Sequence, residues 1–317
     1  MSSQFVDINA DGHQDILTGS FSGTPQIVMG GEDGYAPAAP ILDGEGEIVL
    51  IAAFWNDEDD QWDDTDRCES KGHCTSSAAV DWDADGDLDL ILGDYYGGKL
   101  FLRLNEGTAQ EPKFASTNVA IEAGGKPMII EKGLAAPVVI DWNQDGKFDL
   151  LCGGSKGGIY YYQNTGKASA PEFAAAKSLL EPVDKAGSFI GKVPSFKNQP
   201  TQPGSSLHIE PFDYDGDGDL DLLVGGRSSW LAGDVVELTD EEKERLKELR
   251  ASQSEISQEM SALLTEVDAD ERKELMKSDE FKALSKRNST IYQELAPLMK
   301  KSDPSKSGDF VWLLRRK

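Results

Sequence analysis

"DWDADGDLDLIL", residues 81–92, places five aspartates at alternate positions directly before an apolar run. Carboxylates crowded this closely repel one another. A folded chain keeps Asp81, Asp83, Asp85, Asp87 and Asp89 together only if something offsets that repulsion. The pattern is D-x-[DN]-x-D-G-x-x-D, and it occurs four times. "VDINADGHQDIL" begins it at Asp7, "IDWNQDGKFDLL" at Asp141 and "FDYDGDGDLDLL" at Asp213. The spacings between copies are 74, 60 and 72 residues. A second echo, "NEGTAQEPKF" from Asn105 and "NTGKASAPEF" from Asn164, follows two of the copies. Such self-similarity is the signature of a repeat architecture.

Oxygen ligands at positions 1, 3, 5 and 9, with a backbone carbonyl at 7, suit a hard cation such as calcium, and glycine at 6 permits the sharp bend. The four ligand sets carry formal charges of −3, −4, −3 and −4. A cation removes the repulsion. Asp87, at position 7, is expected to offer its carbonyl and turn its side chain to solvent. An EF-hand is the rival reading, but it needs Glu at position 12 and flanking helices. Position 12 here is Thr18, Leu92, Cys152 or Val224, and the flanks are short apolar runs ending in glycine. Such runs read as buried strands, so each loop is expected to join two strands.

These residues resemble the FG-GAP/VCBS repeat family, over roughly residues 4 to 236 plus the tail. The resemblance implies a mainly β fold, a β-propeller with calcium in the loop between the first two strands of a blade. It implies four ligand sets and about four calcium ions. The first set is Asp7, Asn9, Asp11 and Asp15 with the carbonyl of His13. The second is Asp81, Asp83, Asp85 and Asp89 with that of Asp87. The third is Asp141, Asn143, Asp145 and Asp149 with that of Lys147, and the fourth is Asp213, Asp215, Asp217 and Asp221 with that of Asp219. Asn9 and Asn143 keep an oxygen but lower the charge, which predicts weaker sites in the first and third loops.

Residues 239–302 change character. Thr239 is a predicted N-cap followed by acids in the first turn. Leu246, Leu249, Ile256, Met260 and Leu263 form one apolar seam, and Phe281, Leu284, Ile291, Leu295 and Leu298 another. Two helices joined near 267–279 suggest a coiled-coil-like hairpin, with packing of both helices on the propeller as the alternative. The tail "GDFVWLLRRK" resembles "GGKLFLRLNEG" and "GGIYYYQNTG". The expected organisation is a β-propeller over 1–238, a helical hairpin insertion over 239–302, and a strand over 303–317 completing the last blade. Four blades are expected, with five left open by the two longer spacings.

The formal net charge of −26 argues against nucleic acid as a partner, because phosphate binding needs a basic surface. Residues 240–302 hold 15 acids and 12 bases, or −3, so −23 lies elsewhere. No apolar stretch reaches the ~18–20 residues that span a bilayer. Cys68 and Cys74 are expected to form a disulfide, which points to an extracellular or periplasmic home. A zinc site using His73 with both is the minor alternative. Cys152 reads as a buried small apolar residue. His13 and His208 read as loop residues. "YYGG" at 95–98 and "YYY" at 160–162 read as strand aromatics between blades, with a sugar-stacking platform as the alternative. Trp55, Trp62 and the acids of 54–74 read as a solvated acidic loop, or else as a ligand rim or a further cation site. Three functions stay open: a calcium-stabilised module binding a glycan or protein, a lyase-like polysaccharide enzyme, and an assembly role with self-association through the hairpin. No catalytic residue is assigned.

Overall fold

A computed structural model describes residues 3–51, 53–56, 61–63, 75–130, 133, 135–155, 157–183, 196–265 and 269–316. Cys68, His73 and Cys74 lie outside the described residues, and so does most of the acidic stretch around them. The chain is mainly β, with several antiparallel sheets and, among the described residues, three helices. It divides into two compact units. One draws on Met1–Ser195, Pro200–Ser229 and Ser307–Lys317, the other on Phe196–Gln199 and Trp230–Lys306.

In chain order the strands are β1 (Ser3–Val6), β2 (Asp15–Thr18), β3 (Gln26–Val28), β4 (Ala39–Pro40), β5 (Phe54–Asn56), β6 (Gln61–Asp63), β7 (Thr75–Val80), β8 (Asp89–Asp94), β9 (Leu100–Arg103) and β10 (Val119–Ala120). There follow β11 (Glu122–Ala123), β12 (Lys126–Pro127), β13 (Ala136–Ile140), β14 (Asp149–Gly153), β15 (Ile159–Tyr162), β16 (Lys177–Leu180), β17 (Phe196–Lys197), β18 (Ser205–Phe212) and β19 (Asp221–Leu231). Helices α1 (Asp240–Leu263), α2 (Ala269–Lys277) and α3 (Asp279–Ser302) precede the final strand, β20 (Ser305–Leu314).

Three sheets of the first unit run in simple sequence order, β1-β2-β3-β4, β7-β8-β9-β10 and β13-β14-β15-β16. A fourth pairs β18 with β19 and β19 with β20, so its third strand comes from the tail. Each repeat of the Asp-rich motif lies between the first and second strand of its sheet, and strands rather than helices flank it, against the EF-hand alternative.

The sheets stack face to face, because the second strand of an inner sheet is apolar on both sides. Side chains alternate across a strand. Leu90 and Leu92 of β8 therefore join Leu17 and Phe101 in one core, while Ile91 joins Leu150 and Cys152 in the next. On β14, Leu151 turns the other way, to Leu207, Leu222 and Val224. Three cores thus separate four sheets in series. The first strands β1, β7, β13 and β18 line one cavity of about 500 Å³, with Gln4, Ala78, Val138 and Glu210 on its wall. Buried Arg103 ties the second sheet inward: its guanidinium donates to Asn118 Oδ1 and to the carbonyls of Ala115 and Leu50, and pairs with Asp43 at 3.6 Å.

The aromatic expectation holds for one group only. Tyr161 and Tyr162 are buried in two different cores, on opposite faces of β15, and Tyr160 packs against the core that holds Tyr162. Tyr95 and Tyr96 instead stand edge to face in the turn after β8, and Tyr96 is exposed. That turn is held by Asp94, whose Oδ1 accepts the N–H of Tyr96 and Gly97. His208 is likewise not a loop residue; it lies on β18, where burial holds its imidazole below the usual range. Cys152 is a free, fully buried thiol.

In the second unit, α1 opens with a capping box: Thr239 Oγ1 accepts the Glu242 N–H and Glu242 accepts that of Thr239. Helices α1 and α3 run antiparallel, with Leu249, Ile256, Leu284 and Leu295 buried. Ion pairs Glu242–Lys301, Arg245–Glu294 and Glu259–Arg287 flank this seam. The joint between the helices contains the short helix α2, where the sequence suggested a plain connection.

Candidate metal centres

All four Asp-rich loops adopt one backbone. The position-1 carboxylate closes the turn from inside: Asp7 accepts the N–H of Asp11 and Gly12, Asp81 those of Asp85 and Gly86, and Asp141 those of Asp145 and Gly146. Asp213 accepts from Gly216 and Gly218, a slightly tighter version. The position-5 acid then accepts the N–H of residue 7 in every copy. Position 6 has positive φ, from 84° to 97°, at Gly12, Gly86, Gly146 and Gly218. Position 4 is left-handed as well, at Ala10, Ala84, Gln144 and Gly216, with φ of 51° to 74°. The sequence pattern signals the first of these through its glycine. It hides the second, because only the last loop has glycine there.

Position 9 is the anchor. Asp15, Asp89, Asp149 and Asp221 are all buried at the start of the second strand. One oxygen of Asp15 accepts the Ile8 N–H inside its loop, and one of Asp89 accepts that of Trp82. The other oxygen reaches across to the end of the third strand. In the four copies it accepts the N–H of Gly30, Asn105, Asn164 and Arg316 at 2.7–2.8 Å. Asn105 and Asn164 open the second sequence echo. Each side-chain oxygen then accepts two more backbone N–H groups, from Gly107 and Lys113 or from Gly166 and Glu172. The echo is therefore a side-chain-pinned turn attached to the Asp-rich loop, a role that spacing alone did not reveal.

The electrostatics differ among the loops. Asn9 and Asn143 donate their side-chain amides to Asp11 and Asp145, relieving repulsion within the first and third loops. The Asp11 carboxyl is held low, first by the His13 N–H and then by Asn9. At Asp145 burial opposes, but the hydrogen bonds of Asn143 and Lys147 outweigh it. In the second loop, burial pushes the Asp89 carboxyl up to about 6, with Asp83 and Asp87 adding to the rise. Asp149 is raised by burial too, and Tyr161 donates to its Oδ2.

Carboxylate oxygens of Asp81, Asp83 and Asp89 lie within 4.8 Å of one another, as do those of Asp213, Asp215 and Asp217. Calcium–oxygen bonds of about 2.3–2.6 Å span such a cluster, so these donors fit a hard cation. In the fourth loop Arg315 pairs with Asp215 at 3.3 Å and Arg316 approaches Asp219 at 4.0 Å. Their guanidinium groups also lie over the rings of Tyr214 and Trp142. That loop is partly neutralised by the chain's own arginines. Asp87 departs from expectation: its side chain is 7% exposed, not solvent-facing, because it turns inward toward Asn105.

The comparisons with curated proteins and with solved structures found no match. Among family models, that of the FG-GAP-like repeat matches residues 141–224. The matched stretch begins at position 1 of the third loop and ends on β19, past position 9 of the fourth. Residues 141–224 thus carry an FG-GAP-like repeat.

Proposed function

We propose that the four loops bind calcium and that the chain is a calcium-stabilised β-propeller module for a protein or glycan ligand. The observation that carries this reading is the fourfold recurrence of one loop geometry, with a buried position-9 acid in each copy and convergent carboxylates in the second and fourth. Buried or crowded carboxylates are costly without a counter-charge, and a divalent cation supplies it. Four sheets packed in series, with their first strands around one cavity, support four blades. Residues that would hold the ions are the side chains at positions 1, 3, 5 and 9 and the carbonyl at 7. An affinity suited to calcium-rich surroundings, outside the cell or in the periplasm, follows if the ligand charge is shared with Asn and with nearby arginines.

The protein or glycan would bind on the loops joining strands rather than in a catalytic cleft, and the helical unit offers a second contact surface for self-association. The test of the calcium reading is denaturation with calcium and with chelator, beside metal analysis. A ligand that binds only the folded state raises its stability by mass action, about 2.7 kcal/mol at a hundredfold excess over Kd. Equal stability in both conditions, with no metal retained, overturns it.

A further inference from the structure

Position 7 of the motif holds His13, Asp87, Lys147 or Asp219. In the third loop the Lys147 ammonium occupies a defined place. It donates to the Asn164 carbonyl at 2.9 Å and the Gly166 carbonyl at 3.2 Å, and lies 3.4 Å from Asp145 Oδ2. The second loop has the same frame. Asn105 N–H meets Asp89 Oδ1 at 2.7 Å, as Asn164 meets Asp149, and Gly107 N–H meets Asn105 Oδ1 at 3.0 Å, as Gly166 meets Asn164. In place of the ammonium stands the carboxylate of Asp87. It is buried beside Asp85, the Asn105 side chain hydrogen-bonds the carboxylate, and among the described residues its Oδ1 has no hydrogen-bond partner.

We propose that the second loop holds an additional calcium ion on the Asp87 carboxylate, Asp85 and the carbonyls of Asn105 and Gly107, where the third loop holds the Lys147 ammonium. The reach agrees. A lysine Nζ lies about 6 Å from its Cα, and an aspartate oxygen plus one calcium–oxygen bond reaches about the same distance. The charge agrees as well. The third loop, with three carboxylates and Lys147, is neutral once one calcium is bound. The second loop has five carboxylates, and no ion pair to any of them occurs among the described residues. One calcium leaves it at −3, and a second brings it to −1. Asp85 would bridge the two ions, as Asp145 faces both its loop and Lys147.

This site rests on the calcium reading of the loops, and its test separates the two. Calcium bound per chain is counted by equilibrium dialysis of the full chain, for the unaltered protein and for Asp87→Asn and Asp87→Lys. Asp33→Lys serves as control, because Asp33 is exposed and lies outside the four loops. The expected result is one ion fewer for both Asp87 variants and an unchanged count for the control. Asp87→Lys, which restores the third-loop arrangement, should also keep its denaturation midpoint in chelator at or above that of the unaltered protein. If the unaltered protein binds calcium and the Asp87 variants bind as much, the additional site is overturned and the loop reading stands. The additional site is overturned in the same way if the control loses an ion too. If the unaltered protein binds none, both fall.

Discussion

Four residues past each position-9 aspartate stands a glycine: Gly19, Gly93, Gly153 and Gly225. The first three lie where one sheet meets the first strand of the next. A Cβ on Gly19 would overlap the Thr75 carbonyl, and one on Gly93 the Ala135 carbonyl. On Gly153 it would lie 2.7 Å from the Leu207 carbonyl. Gly225 belongs to the last sheet, and there the nearest atom would be His208 Cβ at 4.0 Å. The same substitution at four equivalent positions therefore reads whether the sheets really pack in series.

Gly→Ala at Gly19 or Gly93 must push a backbone carbonyl, which cannot rotate away as a side chain would. Overpacking of this kind costs about 1–3 kcal/mol and sometimes more, so about 3 kcal/mol is expected at these two. Gly153→Ala, with a smaller overlap, should cost about 1–2 kcal/mol. Gly225→Ala meets open space and restricts the unfolded chain, so it should be neutral or stabilising by up to about 1 kcal/mol. Urea unfolding in calcium, followed by tryptophan fluorescence, gives all four values on one scale. Equal losses at the four positions, or a loss at Gly225 as large as at Gly93, would refute the serial packing.

Other substitutions test other parts. Ala84→Gly relieves a left-handed alanine and should stabilise by about 0.5–1 kcal/mol in chelator, read as a higher urea midpoint. Ile91→Ala, buried between two sheets, should cost about 2–5 kcal/mol, whereas Leu223→Ala, on the partly exposed face of β19, should cost less than about 1, both by urea unfolding. The Asp89 carboxyl, raised from 3.8 to about 6 chiefly by burial, binds its proton more tightly in the fold than in the unfolded chain. Calcium-free stability should therefore fall as pH rises from about 4 to about 6, on the order of 3 kcal/mol from this group. Calcium needs the ionised form, so calcium affinity should rise over the same window; both trends are read from urea midpoints in chelator and in calcium, and a rising chelator curve would contradict the burial argument.

What the sequence made legible was local. Glycine at position 6, alternating acids and a following apolar run specify a strand–loop–strand unit, because each feature acts within a dozen residues. The loop backbones follow that reading closely. Less legible was whatever depends on a residue far away. Nothing in "DGDLD" says that the Asp87 side chain turns inward, since that depends on Asn105, eighteen residues on. Nothing in "RRK" says that Arg315 reaches Asp215, across an intervening helical unit. Tyr95 and Tyr96 read as strand aromatics by propensity, but the Asp94 carboxylate makes a turn of them by capturing two N–H groups.

The position-9 aspartate explains why the acids recur with strands rather than merely with loops. Two backbone N–H groups at that point, one in the loop and one at the end of the third strand, donate to this buried acceptor rather than to a strand. An apolar residue there would leave both unsatisfied, at about 1–3 kcal/mol each. A carboxylate satisfies both, yet its own charge is then buried, which is the origin of the raised Asp89 carboxyl. A proton settles that charge at low pH, and a cation in the loop settles it at neutral pH. The loop and the sheet edge are joined through this one side chain, so a bound calcium would act on the stability of the whole sheet rather than on the loop alone. Asp89→Leu, branched at the same carbon but uncharged, separates the two roles. It should remove the falling pH trend in chelator, and still lower the urea midpoint through the two unsatisfied N–H groups. A variant as stable as the unaltered protein at neutral pH in calcium would show that the brace is dispensable.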